Sequence, residues 1–346
     1  MTEDWENGGF GIYIHWPFCT AKCPYCDFNS HVRSNINQKQ WLKAYLNEIK
    51  RVSEKTSNRI LNSVFFGGGT PSLIEPSIIG DVLNEIQKHW KTKNNFEVTL
   101  EANPGSVDAK NFKAYKEAGV NRTSMGIQSL NTKDLKALGR THTVEEALAA
   151  FEIARQNFKA VSFDLIYARQ NQNISQWEKE LSLALSLEAS HMSLYQLTIE
   201  QGTAFGDRYN RGLLKGLPND DTSADMYDLT LSLCEDRGLV SYEVSNYAHQ
   251  GYESIHNLIY WRYGDYIGIG PGAHGRLTID GKKYATETVL SPEAWLKKVE
   301  CDGSGESNSV VLTDQQQAAE FVMMGLRLKE GSNSQRFKNL SGSAFS

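Results

Sequence analysis

The chain has 346 residues, 40% of them hydrophobic and 22% charged, enough for one large domain or two ordinary ones around a substantial core. Its 36 basic and 41 acidic side chains leave a net charge of −5, without the basic footprint of a nucleic-acid binder. No apolar run approaches the ~20 residues of a membrane span, the acidic start Met1-Thr2-Glu3-Asp4-Trp5-Glu6 is unlike a secretory or transit peptide, and five cysteines, three of them clustered, make no secreted disulfide framework. A cytoplasmic protein is expected.

In chain order, short runs rich in β-branched and aromatic residues predict strands at Phe10–His15, Ser63–Phe66, Glu97–Glu101, Thr123–Gln128, Ala160–Tyr167 and His191–Thr198. Between them, helical patterns cover Gln38–Glu54, Ser77–Trp90, Ala109–Ala118, Val144–Gln156 and Ser175–Leu187. In the fourth, Ala147, Ala150, Phe151 and Ala154 fall at i, i+3, i+4, i+7 spacing and define a buried face. Serial β-α units imply a parallel sheet with right-handed crossovers. A doubly wound sheet is the ordinary solution. An open or partial barrel is favoured because polar residues recur at the ends of successive strands.

The pattern changes near residue 200. A polar, Gly-rich stretch, Gln201–Asp221, precedes a helix at Asp221–Arg237, a strand at Val240–Val244, the aromatic segment Tyr252–Tyr266 and the run Gly268-Ile269-Gly270-Pro271-Gly272. A helix is expected at Gln315–Lys329, with Ala319, Val322, Met323 and Leu326 on its packing face. The tail Glu330–Ser346 shows no clear element. Residues 1–200 are thus read as a core and 201–346 as a second region packed onto it. Cys234 is expected inside a helix as a small buried hydrophobe, and Cys301 has no evident partner.

Four constellations carry chemistry. Cys19, Cys23 and Cys26 form C-x3-C-x2-C with no fourth cysteine beside them. Thiolates suit iron–sulfur clusters and zinc. Three thiolates leave one corner of a four-iron cube free for a small molecule; zinc needs a fourth ligand, which His15 or His31 could supply. Next, the apolar strand ending Phe65-Phe66 runs into Gly67-Gly68-Gly69-Thr70-Pro71, where missing Cβ atoms let a ligand approach the backbone and a zwitterion pair with its amides and carbonyls. Glu101, the alternating polar residues of Arg122–Gln128, and Asp164 inside an apolar strand come third; a carboxylate there is costly unless paired or placed at a ligand. Last, His256-Asn257-Leu258-Ile259-Tyr260-Trp261 offers a histidine and flat rings to a tetrapyrrole, or ordinary aromatic packing.

Taken together, these residues resemble the radical S-adenosylmethionine superfamily, and within it the HemW family of haem chaperones, related to oxygen-independent coproporphyrinogen III dehydrogenases. The resemblance runs from Tyr13 to Gly331. It rests on Tyr13–Cys19, Gly67–Pro71, Glu101–Pro104, Ser124–Ser129, Leu138–Arg140, Ser193–Thr198, Tyr242–Tyr247, His256–Trp261, Gly270–Gly275 and Met323–Leu328. It implies an α/β fold, a partial (β/α)6 barrel with a C-terminal α/β extension. It also implies a [4Fe–4S] cluster on Cys19, Cys23 and Cys26, its open iron chelated by S-adenosylmethionine. Tyr13, Tyr25, Gly68, Gly69, Thr70, Glu101, Gln128, Arg140 and Asp164 match positions around that cofactor. Haem is the third implied ligand, at His256, Tyr260 and Trp261. Haem-accepting proteins, respiratory ones among them, and a second copy of the chain are the implied partners.

The dehydrogenase pattern carries a further cysteine where this chain has Phe28, and a longer N-terminal extension, so the chaperone reading is favoured over anaerobic decarboxylation of coproporphyrinogen III. A non-catalytic zinc protein is the third reading. Two departures from the chaperones stand out. Ala168-Arg169-Gln170-Asn171 replaces the usual Gly-Leu-Pro-Gly, which is expected to reshape that pocket wall, and a further C-terminal module expected after Gly331 is shortened or missing.

Overall fold

The structure, a computed structural model, describes residues 4–106 and 109–342. Its strands are β1 (Phe10–Trp16), β2 (Phe18–Cys19), β3 (His31–Val32), β4 (Ile60–Gly68), β5 (Lys91–Ala102), β6 (Arg122–Gln128), β7 (Ala160–Tyr167), β8 (His191–Gln196), β9 (Val240–Glu243), β10 (Asn246–Ala248), β11 (Asp265–Ile269), β12 (His274–Ile279), β13 (Lys282–Thr288) and β14 (Glu306–Val311). Twelve form one sheet in the order β14-β13-β12-β11-β1-β4-β5-β6-β7-β8-β10-β9, while β2 and β3 pair separately.

The strand order chooses between the two expected architectures. β1, β4, β5, β6, β7 and β8 are parallel and lie side by side in the order the chain makes them. A doubly wound sheet reverses direction at a switch point. Here there is no reversal. Successive right-handed crossovers therefore step the same way and lay their helices on one face. The result is a six-stranded partial barrel, as the resemblance implied.

The covering helices form for local reasons. Thr143 and Glu146 make a capping box at the start of the helix Val144–Asn157. That helix buries Ala147, Ala150, Phe151 and Ala154, the expected face, and Phe151 meets Phe163 of β7 edge-on at 5.2 Å. The helix Gln38–Thr56 is capped by Asn37 and buries Trp41, Tyr45, Ile49 and Val52. Trp41 stacks on Trp295 of the helix Pro292–Asp302, centroids 5.4 Å apart and 8° from parallel, which fastens the C-terminal part to the barrel. Burying each such ring contributes about 1.5–3 kcal/mol.

Beyond residue 200 the chain extends both edges of the same sheet. β11 adds in parallel to the free side of β1, and β12, β13 and β14 follow as an antiparallel meander; β10 and β9 continue the opposite edge from β8. Buried Asp265 on β11 is paired with Arg59 at 2.7 Å and Lys283 at 3.1 Å, so three distant segments meet in one compensated charge cluster. Cys234 is fully buried in the helix Asp220–Glu235, as expected.

Several expectations are corrected. The stretch Gln201–Asp221 contains a helix, Ala204–Asn210, started by Thr203. The tail forms the helix Ser334–Ser341, held by Arg336 to Asp4 at 2.6 Å; its last residues, 343–346, lie outside the described residues. The helix Asp314–Gly325 buries Phe321 and Gly325 instead of the expected stripe, leaving Met323 58% and Leu326 79% exposed. Phe321 sets that rotation by packing against Tyr263 and under Arg336.

Candidate functional site

The three cysteines occupy the loop that leaves β1. Parallel pairing of β2 with β3 closes its base, Phe18 opposite His31 and Cys19 opposite Val32. The triglycine end of β4 is pinned to it: Gly69 N donates to Trp16 O at 2.6 Å and Thr70 N to Phe18 O at 2.8 Å. A Cβ on Gly69 would stand 2.6 Å from Phe18 O, and one on Gly68, at φ +112°, 2.6 Å from the His15 ring. The glycines are therefore required first by contact between the two chain segments.

Two further elements clamp the loop. Gly139, at φ +69°, lies so close to Pro24 that a Cβ would be 2.6 Å from its ring. This brings Arg140 Nη1 to 3.3 Å from Cys23 Sγ, while Nη2 donates to Gly126 O at 2.7 Å. From the helix Ala204–Asn210, Phe205 N donates to Pro24 O at 2.8 Å and the Phe205 ring packs on Tyr25. Sequence reasoning missed Phe205; an N-cap threonine ahead of an apolar residue was the available signal.

A cavity of about 140 Å3 opens at the C-terminal ends of the parallel strands. Its lining brings together Cys19, Cys23, Cys26, Tyr25, Gly68, Gly69, Thr70, Glu101, Gln128, Arg140 and Asp164. Of the residues expected around S-adenosylmethionine, Tyr13 alone lies elsewhere, lining the neighbouring cleft and bonded through its hydroxyl to His15 Nδ1 at 2.9 Å. Burial pushes the Cys19 and Cys26 thiols up. Burial, reinforced by Asp164, pushes Glu101 up to about 8, although Gly68 N donates to its Oε2 at 3.1 Å. Burial raises Asp164 to about 6 against a bond from Ser124 Oγ at 3.3 Å. Arg140 Nε is buried without a partner among the described residues. Two carboxyls, an under-satisfied guanidinium and three thiols around one cavity fit a cationic, amino-acid-bearing ligand beside a thiolate-held cluster.

The zinc arrangement is not built. His15 Nε2 lies 2.9 Å from Asn29 O, with its other nitrogen on Tyr13, and His31 Nε2 is 3.0 Å from Asn29 Oδ1. Among the described residues, no three His, Cys, Asp or Glu groups converge to grip a single ion.

Arg169 does not reshape the cavity wall as expected. It turns away, buried between Glu180 at 2.5 Å and Asp134 at 2.8 Å. Glu180 also accepts from Ser129 Oγ at 2.6 Å and Leu130 N at 2.7 Å, so this network braces the turn after Gln128, itself at φ 72°. Ala168 and Asn171 hold φ 55° and 58°, the left-handed geometry that favours the glycines they replace.

A second cleft, about 360 Å3, lies between β1 and the C-terminal extension, lined by Tyr13, Phe28, Tyr260, Trp261, Tyr263, Tyr266, His274, Arg276 and Met324 among others. Phe28 lines both cavities. Glu97 accepts from Ile255 N and His256 N at 3.2 and 3.0 Å, steadying the start of the helix Ile255–Trp261. His256 does not reach the cleft. It is buried, Nδ1 2.8 Å from Ser63 Oγ and Nε2 2.8 Å from Tyr260 OH, stacked on Phe65, and burial lowers it to about 3.

Residues 13–184 match the model of the Radical SAM superfamily. Similarity to full-length relatives reaches well past that segment. "Heme chaperone HemW" of Haemophilus influenzae is 39% identical over 338 residues, covering 96% of this chain and 86% of that protein. The chain belongs to the radical SAM superfamily. Zebrafish (Danio rerio) "Radical S-adenosyl methionine domain-containing protein 1, mitochondrial" is 38% identical over 338 residues, covering 96% of this chain and 76% of that one. The fold matches Escherichia coli coproporphyrinogen III oxidase (HemN), a radical SAM enzyme, with a TM-score of 0.81 at 19% identity, covering 96% of this chain and 79% of that structure. Relatives thus include bacterial and mitochondrial proteins. No helix among the described residues of this chain is long and apolar enough to cross a membrane.

Proposed function

We propose that this chain is a haem chaperone that binds haem in the aromatic cleft and passes it to acceptor proteins, with a [4Fe–4S] cluster and S-adenosylmethionine in the adjoining cavity. The observation that carries the reading is the adjacency of the two cavities across Phe28. The names of the bacterial relatives supply the ligand for the aromatic one.

Cys19, Cys23 and Cys26 would hold the cluster. Glu101 and Asp164 would receive the positive groups of S-adenosylmethionine, and the Gly68–Thr70 stretch, whose amides are already bonded to Glu101, Trp16 and Phe18, would offer its glycine carbonyls to the ligand's amino group. When bound, the cluster can supply one electron to the sulfonium, the chemistry its superfamily is named for. This chain's residues bind, orient and shield. Arg140 offsets charge on Cys23, and Tyr25 with Phe205 walls off one side. Transfer to haem acceptors, and action as a homodimer within the cytoplasm, belong to the same proposal.

Anaerobic reconstitution followed by haem titration tests it. Wild type is expected to give a shifted Soret band at one haem per chain. Decarboxylation of coproporphyrinogen III without haem uptake by cluster-loaded protein would overturn it.

A further inference from the structure

Resting on the haem-binding reading, we propose that His274, and not His256, is the side chain that faces the metal of a planar tetrapyrrole in the aromatic cleft. His256 has both ring nitrogens engaged, on Ser63 and Tyr260, and is buried behind the cleft wall. To ligate a metal in the cleft through Nε2 it would have to give up its bond to Tyr260 and pass the Tyr260 ring that stands between it and the cleft. Its role is to position Tyr260, whose ring does line the cleft.

His274 has the opposite setting. It opens β12 at the cleft, its side chain is 59% exposed, and Nε2 makes no hydrogen bond among the described residues. Its cross-strand partner on β13 is Glu287, with Oε1 4.0 Å from His274 Nδ1. At 4.0 Å the pair is not hydrogen-bonded; a carboxylate on the Nδ1 side that closes on the ring when a metal binds would orient the imidazole to present Nε2. The walls suit a flat macrocycle. Tyr13, Tyr260 and Tyr266 give aromatic surface, and Phe28, 55% exposed, stands between this cleft and the cysteine cavity. Arg276, next on the same face of β12, is held by Glu320 at 3.0 and 2.9 Å, so it stiffens the wall more than it offers a free charge.

The test titrates haemin into cluster-loaded wild type, H274A, H274G, E287Q and H256A, following the Soret band and the ferric electron paramagnetic resonance signal. H274A is expected to weaken binding about tenfold or more and to change the ferric signal, which free imidazole restores in H274G. E287Q, altering a positioning residue, weakens binding less and shifts the ferric signal. H256A lowers the melting temperature but keeps the wild-type Soret position once folded. Unchanged affinity and ligation in H274A, with wild type binding normally, overturns the assignment of His274. Ligation lost in folded H256A and retained in H274A returns the role to His256. Failure of wild type to bind haem refutes the underlying haem-binding reading instead.

Discussion

The two cavities are built by different means. The cysteine cavity is made by residues at the ends of consecutive parallel strands and by loops pinned onto them, and its chemistry is carried by thiols and buried charge. The aromatic cleft is assembled from β1, the loop at Phe28, a short helix, β12 and a C-terminal helix, and it relies on ring surface with one exposed imidazole. The first is a strand-end site of the kind that barrel topology makes almost unavoidable. The second exists only because β11 docks on the free side of β1 and brings the extension beside the barrel mouth. One fold thus offers an ordered polar pocket and a broad apolar seat that share a single side chain, Phe28.

The largest expected effect separates the two. Replacing Cys19, Cys23 and Cys26 together by alanine should abolish iron and sulfide binding while haem still shifts the Soret band; parallel loss of both, in protein that remains folded by circular dichroism, would show that the sites are not independent. Next comes Arg169→Met. It leaves Glu180 buried without its cation, so denaturant unfolding should show a loss of about 3–5 kcal/mol, with the cysteine cavity suffering first because Glu180 braces Ser129 and Leu130.

Legibility followed the same division. The cysteine spacing, the triglycine and the strand-end carboxyls are local signals, whereas Tyr25 and Arg140 follow only from the resemblance; of the twelve residues so expected, eleven line the cavity and Tyr13 does not. The helix at Ala204–Asn210 was hidden in a polar stretch because only Phe205 in its first turn is large, apolar and buried. The aromatic cleft was legible in composition but not in geometry. His256 reads as a ligand in its motif, yet Ser63, nearly two hundred residues earlier in the chain, claims one of its nitrogens at 2.8 Å. Periodicity shows the helix at Asp314–Gly325 but not its buried face, because Phe321 sets that face by packing on Tyr263 and under Arg336.

A smaller, pH-dependent effect sharpens the polar character of the first site. Folded Glu101 keeps its proton up to about 8, whereas its ordinary value is 4.5, so between these values the folded state holds the extra proton. Stability from this group is full below 4.5 and is lost as the pH rises through 8. Ligand-free protein should therefore melt at lower temperature at pH 8 than at pH 5, and Glu101→Gln should flatten that slope; an equal slope in the variant would locate its cause elsewhere. The smallest effect concerns the departed loop. Ala168→Gly relieves a left-handed alanine at φ 55°, and thermal unfolding should show a gain of about 1 kcal/mol with no change in either cavity's ligands.

The central claim is that three thiols around the strand-end cavity hold a cube with one vertex left for an outside ligand. Iron and acid-labile sulfide should be counted after anaerobic reconstitution, and the electron paramagnetic resonance of the reduced protein recorded with and without S-adenosylmethionine. About four irons and four sulfides per chain, with a signal that shifts when S-adenosylmethionine is added, is the predicted result. One zinc without sulfide, or a cluster whose signal ignores S-adenosylmethionine, would contradict it.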